Sequence, residues 1–165
     1  MMWALLWGCH PHAVDSLAVE ESEVALTAED FDCFRDWHQV GSSYYGNVLG
    51  DVEGTVAAAT NQTPFPPGTL VQFAPVEAMV KRNPGFSPET GDWEFFKLKL
   101  KGETTTIVER GTTDIKNAAG GCAECHAGAS ESNDWVCGTE FGCDPLPGFV
   151  IRRAEKVVAK DPRCR

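Results

Sequence analysis

Three residues in the last third of the chain have the types and the spacing that covalent haem attachment requires. Cys122, Cys125 and His126 lie in the run Gly-Gly-Cys-Ala-Glu-Cys-His-Ala-Gly, and Cys-x-x-Cys-His is the attachment signature of c-type haem. One turn of chain places the two sulfurs under the two vinyl groups of a porphyrin, and the imidazole that follows faces the iron. The sequence therefore predicts one covalently attached haem c, held by Cys122 and Cys125, with His126 as an axial ligand of the iron.

Two other chemistries use a Cys-x-x-Cys pair. A structural zinc site needs two further ligands, usually a second pair of cysteines or histidines, and the cysteines at positions 9, 33, 137, 143 and 164 form no second pair of this spacing. A thioredoxin-type redox pair is expected between the strand and the helix of a βαβ unit, whereas Asn-Ala-Ala-Gly-Gly precedes this motif. Haem attachment is favoured, and a metal site or a chance occurrence remains the alternative.

The cysteine count also indicates an oxidising compartment. Seven cysteines are many for a reduced cytosolic protein, and covalent haem attachment belongs to exported proteins. Cys9 follows Leu5-Leu6-Trp7-Gly8, which is similar to the end of a bacterial lipoprotein signal. We expect a periplasmic protein, or one anchored to the outer membrane on its periplasmic side by a lipid on Cys9. Residues 1–26 are then a truncated signal and a flexible lead, and residues 27–165 form the haem domain.

Four cysteines remain for disulfides. Cys137 and Cys143 bracket only five residues, which favours a local disulfide that closes this loop. Cys33 and Cys164 are then left to tie the early part of the chain to its tail. Four cysteines allow three pairings, so the sequence leaves the other two open.

Length and charge narrow the class of protein. A chain of 165 residues is one ordinary domain. The net charge of −10 argues against a nucleic-acid partner, since phosphate binding needs a basic surface. No apolar stretch reaches the roughly 18 residues of a membrane span. The tail carries six basic residues, which we interpret as a solvated helix face, with a surface for a redox partner or a second subunit as the alternative: Arg152, Arg153, Lys156, Lys160, Arg163 and Arg165.

The first half of the chain shows two helix signals. Thr27 is a suitable N-cap with Asp30 three residues later, and Gly41 stands where a C-cap glycine belongs, so an amphipathic helix is expected over about 28–39. Asp51 is a candidate cap for a second, short helix. The three prolines of residues 63–68 predict a turn.

A sheet should follow this turn. Residues 69–73 and 76–81 have strand character and are separated by Ala74-Pro75, with Val71 and Phe73 on one face. Residues 93–101 alternate between apolar and lysine side chains, which predicts an antiparallel strand with one wet face. Residues 104–108 give another strand, and residues 114–128 should be helical or looped around the haem motif.

The order of these segments resembles the cytochrome P-460 family, which includes the β-sheet cytochromes called c-prime-beta. The matching runs cover roughly residues 31–137 and occur in the family's order: Phe34-Arg-Asp-Trp37 with Gly41, Phe65-Pro-Pro-Gly68-Thr69, Glu77-Ala-Met-Val-Lys81, Gly91-Asp-Trp93-Glu-Phe95, and Cys122-Ala-Glu-Cys125-His126 followed by Asn133-Asp134-Trp135-Val136. The resemblance implies an α+β fold in which an antiparallel β-sheet packs with a few helices. It also implies a homodimer and a five-coordinate haem c with His126 as its proximal ligand.

One position departs from the family's enzymes. Those members oxidise hydroxylamine with a lysine that cross-links to the porphyrin, five residues after the glycine of the Pro-x-Gly-Thr turn, and here that position is Phe73. Lys81 lies on another strand and is a poor substitute. The resemblance therefore implies an apolar distal pocket containing Phe73, Val71 and Glu77, as in the c-prime-beta branch. For Phe73, an ordinary core position is the alternative.

These residues lead to an expected function and two alternatives. The expected function is binding of a small gas, NO or CO, at the iron, with no catalytic residue. A plain electron carrier is the first alternative and would use Met79 or a histidine as a sixth ligand, although for Met79 a core or strand-face position is the commoner case. An oxidoreductase acting on hydroxylamine or a nitrogen oxide is the second and would need Glu77 to handle protons. His38 is interpreted as a surface or core histidine rather than a ligand, and His10 and His12, in the flexible lead, would bind metal only adventitiously.

Overall fold

The computed structural model describes residues 23–117, 120–138, 143 and 146–164. The predicted lipid anchor at Cys9 and the histidines at positions 10 and 12 lie outside these residues. Within them, no helix is both long enough and apolar enough to cross a membrane.

The chain folds as an α+β protein around one antiparallel sheet, as predicted. Six strands follow one another in chain order across this sheet, each paired with the next in antiparallel register. A two-stranded hairpin stands apart from it. The strands of the large sheet are β1 (His38–Val40), β2 (Ser43–Asn47), β3 (Thr69–Ala74), β4 (Glu77–Lys81), β5 (Trp93–Lys101) and β6 (Thr104–Gly111), and those of the hairpin are β7 (Lys116–Asn117) and β8 (Gly120–Gly121).

The helices are short apart from two. Helix α1 (Val52–Asn61) begins at Asp51, whose side chain accepts a hydrogen bond from the Gly54 amide at 2.9 Å, as the capping signal predicted. The other α-helices are α2 (Cys122–His126), α3 (Ser130–Asn133) and α4 (Gly148–Val158). Single 3₁₀ turns occupy Ala28–Phe31, Phe34–Asp36, Pro88–Thr90 and Ala127–Ala129.

Each face of the large sheet carries its own apolar cluster. The front face is defined by Tyr45, Val71, Met79 and Phe95, which are register partners on four successive strands. Helix α1 covers part of it through two buried alanines. The back face carries a second cluster: Leu70, Ala78, Val80, Phe96 and Leu98, with Phe31 packed on them. The sheet is therefore apolar on both faces, and a site can be positioned against the front face.

The side chains of β5 alternate as predicted, but the face that was expected to be solvent-exposed is exposed only in the second half of the strand. Phe96 and Leu98 are buried, whereas Lys99 and Lys101 are exposed. On the same side as the lysines, however, Phe95 is 3 % exposed. The strand therefore begins between two apolar layers and leaves them toward its end.

The helix expected over residues 28–39 does not form. Thr27 does begin a turn, with its backbone amide donating to the Asp30 carboxylate at 2.7 Å. The chain then makes two separate 3₁₀ turns and enters β1 at His38. Phe31 ends the first of these turns and Phe34 begins the second, and both are fully buried. The same apolar spacing therefore fits 3₁₀ turns, and the helix prediction was wrong.

Packed structure also begins earlier than Thr27. Val24 is 2 % exposed, and its carbonyl oxygen accepts a hydrogen bond from the buried Arg82 guanidinium. Arg82 is paired with Glu94, which also binds Arg110. A buried ion network thus fixes the chain three residues before the predicted boundary, because a buried guanidinium requires its donors to be satisfied.

Both predicted disulfides are present. Cys33 is bonded to Cys164, and Cys137 is bonded to Cys143. The first closes a span of 131 residues and holds the segment after α4 against the early 3₁₀ turns. Beside it, Asp161 pairs with Arg163, both side chains being fully buried. Burial raises the pKa of the Asp161 carboxyl, but hydrogen bonds from Arg163 and its charge outweigh burial, so the pKa is below its usual value.

The basic tail has divided fates. Arg152, Arg153, Lys156 and Lys160 are exposed on or just beyond α4, in keeping with a solvated helix face. Arg163 is buried, and besides Asp161 it donates to the Thr105 hydroxyl at 2.9 Å. Arg163 was expected on the basic surface of the tail, but it is a buried residue that stabilises the fold.

Candidate functional site

The Cys-x-x-Cys-His motif begins directly after the β7–β8 hairpin and forms α2. Its first amide, that of Cys122, donates to the Ile115 carbonyl at 2.9 Å, which fixes the start of the helix. Ala123 is buried in the front-face cluster, and Cys122 packs against that cluster from the side. Cys125 is exposed. The motif thus packs on the front-face cluster through Ala123 and Cys122, while Cys125 is exposed.

The two motif cysteines are the free thiols of the described chain. Cys122 and Cys125 are unbonded, whereas the four other described cysteines are in disulfides. Burial raises the pKa of the Cys122 thiol, and the neighbouring Glu77 carboxylate raises it further against an opposing effect of Lys97. A pair of unbonded cysteines at this spacing, in a chain whose other described cysteines form disulfides, fits two thioether bonds to a haem.

His126 is held by a backbone carbonyl. Its Nδ1 lies 2.7 Å from the Trp135 carbonyl oxygen, so Nδ1 carries the hydrogen and donates it. Nε2 makes no hydrogen bond to any residue that the structure describes. The Phe95 ring packs beside the imidazole, with 5.2 Å between ring centroids. Burial lowers the pKa of His126, and the bond to Trp135 offsets this in part. A neutral imidazole bonded in this way presents Nε2 as a ligand.

The carbonyl that meets His126 is presented by an unusual stretch of backbone. Asp134 and Trp135 both have positive φ angles, 43° and 69°, although neither is glycine. Each such residue costs about 1–3 kcal/mol and persists where its surroundings over-determine it. The Trp135 amide donates to the Ala129 carbonyl at 3.1 Å, and the Val136 amide to that of Asn133 at 2.9 Å. The turn after α3 is therefore closed by its own hydrogen bonds.

Asp134 joins this turn to the sheet. Its carboxylate lies 2.7 Å from Lys81 Nζ and accepts the Phe65 amide at 2.8 Å. Its carbonyl accepts the Trp93 indole N–H at 2.7 Å. These bonds connect β4, β5 and the turn before β3 to the residue that precedes Trp135.

Two of the three predicted distal residues lie on the motif's side of the sheet. Val71 is 5 % exposed in the front-face cluster. Glu77 is half-buried at the first position of β4, where it pairs in register with Lys97 on β5. The charge of Glu77 acts on the Cys122 thiol. Glu77 and Lys97 also line a depression of about 360 Å³. The structure thus brings Val71 and Glu77 toward the same edge as Cys122.

Phe73 is less simply placed. Val71 pairs with Met79, and Ala74 pairs with Glu77, so Gln72 and Phe73 together stand opposite the single residue Ala78. This β-bulge interrupts the alternation from which a shared face with Val71 was inferred. Phe73 is half-buried, and it belongs to neither apolar cluster of the described residues. Its proposed place above the iron remains a prediction.

The remaining candidates have clear positions. Met79 is 4 % exposed within the front-face cluster, which also contains Ala123. His38 is exposed on β1 and lines a groove of about 580 Å³ beside α1 that contains no motif residue. Lys81 is engaged by Asp134, which supports the view that it does not replace the family's cross-linking lysine.

Two observations bear on the alternative interpretations of the motif. The described residues contain no group of three or more His, Cys, Asp or Glu side chains arranged to hold a metal ion. The strands before α2 form an antiparallel hairpin rather than the βαβ unit of a thioredoxin-type site.

Sequence reasoning missed the groups that hold His126. The runs that carry the family resemblance include Trp135, Asp134 and Phe95, but the sequence assigned them no role. The sequence signal that could have identified them is their place in the matching runs. Phe95 lies in the run before the motif, and Asp134 and Trp135 lie in the run after it.

Known proteins do not extend this description: no model of a protein family, no curated protein and no solved structure matches the chain.

Proposed function

We propose that this chain is an exported c-type haem protein of the cytochrome P-460 kind, which binds a small gas, NO or CO, at its iron. Cys122 and Cys125 would hold the haem covalently, and His126 would ligate the iron through Nε2. The haem supplies an iron that binds diatomic ligands; the chain supplies the attachment, the orientation of the imidazole and an apolar surface.

One observation carries the proposal. The imidazole of His126 donates Nδ1–H to the Trp135 carbonyl at 2.7 Å directly after two cysteines that form no disulfide, whereas the four other described cysteines are disulfide-bonded. Metal-ligating histidines almost always donate their second ring nitrogen in this manner. Disulfides persist in oxidising compartments, which supports export.

Gas binding is favoured over hydroxylamine oxidation by the composition of the front face. Val71 and Met79 are both buried and apolar there. Burial raises the pKa of the neighbouring Tyr45 to about 12, so its phenol stays neutral. Phe73 occupies the position of the family's cross-linking lysine. Such a surface favours small neutral ligands over polar substrates.

Electron transfer is the second candidate because of one residue. Met79 lies in the same buried cluster as Ala123 of the motif, and a thioether bound to the iron would raise its reduction potential. A low-spin haem would indicate this function.

The attachment is tested with two pairs of cysteine variants. Denatured wild-type protein should retain haem, and the double variant Cys122→Ala/Cys125→Ala should lose it, measured by absorbance of the denatured chain after separation from free haem. The matched control is Cys137→Ala/Cys143→Ala, which removes two nearby cysteines that form a disulfide and should leave haem attached. Loss of haem in the control alone, or none in wild type, would contradict the proposal.

A further inference from the structure

The carbonyl that accepts from His126 needs an external support. It belongs to Trp135, the second of two successive non-glycine residues in the left-handed region. Such backbone relaxes unless its surroundings prevent it. The hydrogen bonds inside the turn fix its shape, but they do not fix where the turn sits relative to the sheet.

Asp134 provides that fixed position. Both of its carboxylate oxygens lie 2.7 Å from Lys81 Nζ, and one also accepts the Phe65 amide at 2.8 Å. The adjacent carbonyl accepts from Trp93. The residue immediately before Trp135 is thus held from three directions by the sheet and its preceding turn.

Lys81 is itself immobilised. Its Nζ donates to the Gly91 carbonyl at 2.8 Å and lies 5.2 Å from the centre of the Trp93 ring. The Lys81 and Asp134 side chains are 12 % and 14 % exposed, so water screens this pair less than a surface pair. On the other side, a Cβ at Gly91 would lie 2.7 Å from the Trp135 ring. The Trp135 ring thus packs closely on Gly91, the residue whose carbonyl also accepts from Lys81.

We propose that Lys81 and Asp134 are a positioning pair that holds the Trp135 carbonyl against His126 and so sets the reduction potential of the haem iron; this inference rests on the proposed function. A hydrogen bond from Nδ1 to a well-placed acceptor makes the opposite ring nitrogen a more basic ligand. A more basic ligand favours ferric over ferrous iron. The pair therefore acts on the iron through Trp135 and His126, although it touches neither the iron nor the porphyrin.

The test measures the reduction potential of the haem-loaded chain by spectroelectrochemistry. Asp134→Asn removes the charge and keeps an oxygen for the Phe65 amide; Lys81→Met removes the charge and keeps the length of the side chain. Each should shift the ferric–ferrous equilibrium toward ferrous by about threefold to tenfold, where tenfold is 59 mV for one electron. Lys81→Arg, which keeps the charge, should recover part of the wild-type potential.

Asp161→Asn is the matched control. It breaks another buried ion pair, with Arg163, and should lower stability to urea while leaving the potential unchanged. If Asp134→Asn and Lys81→Met also lose stability but keep the wild-type potential, the pair is only structural and the inference is overturned. Should Asp134→Asn fail to fold, Lys81→Met decides alone. Wild-type protein without covalent haem would instead overturn the proposed function.

Discussion

At the scale of single residues, the basicity of His126 as a proposed iron ligand depends on which group accepts its Nδ1 hydrogen bond. The acceptor is a backbone carbonyl, whereas many ligand histidines use a carboxylate. A neutral acceptor increases the basicity of the imidazole less than a charged one does. The resulting ligand is of intermediate strength, which would suit the proposed binding and release of a neutral gas at a ferrous iron.

Replacement of Phe73 tests the predicted distal cap. If the ring stands above the iron, Phe73→Val opens space and should raise the CO association rate by about tenfold, since a steric barrier of about 1.4 kcal/mol corresponds to a factor of ten. The measurement is flash photolysis of the CO complex. Phe86→Val is the control, because Phe86 is 40 % exposed and packs on Arg82 instead. An unchanged rate in Phe73→Val would make Phe73 an ordinary residue of the sheet.

Residue patterns predicted the attachment motif but not its support. Cys122, Cys125 and His126 lie within five consecutive residues, so their shared chemistry can be inferred from the sequence alone. The Trp135 carbonyl carries no side-chain signal. It reaches His126 through two non-glycine residues with left-handed backbone angles, in a turn that Lys81 and Trp93 bind through Asp134.

At the scale of elements, the strands were predicted best. The bounds of β5 match the expected residues 93–101, because alternation and sheet burial act together there. The helix over residues 28–39 failed because Phe31 and Phe34 fit 3₁₀ turns equally well. Helix α4 was not located, although Val150, Ile151, Ala154, Val157 and Val158 follow the helical period.

The disulfides give a prediction for the elements that they join. In the chain-entropy account, the Cys33–Cys164 bond, which spans 131 residues, contributes about 5 kcal/mol, and the Cys137–Cys143 bond, which spans six, about 2 kcal/mol. Urea unfolding of Cys33→Ser/Cys164→Ser should therefore show the larger loss of stability. Equal losses in Cys137→Ser/Cys143→Ser would show that native-state packing, rather than loop length, decides.

At the scale of the whole molecule, the fold places the haem motif late and at the edge of a sheet. All six strands of the large sheet precede α2 in the chain, so the apolar front face is formed by residues far from the motif in sequence. Most small c-type cytochromes would instead have helices around an early motif. The net charge of −10 contrasts with the exposed basic residues of α4, so charge is distributed unevenly along the chain.

The absorption spectrum of the purified protein, ferric and then reduced with dithionite before and after CO, tests the central claim most directly. The account predicts a covalently bound, high-spin haem with an ordinary reduced band that shifts on addition of CO. A strongly red-shifted reduced band would indicate the cross-linked enzyme. Sharp low-spin bands that CO leaves unchanged would contradict the account and assign the chain to electron transfer.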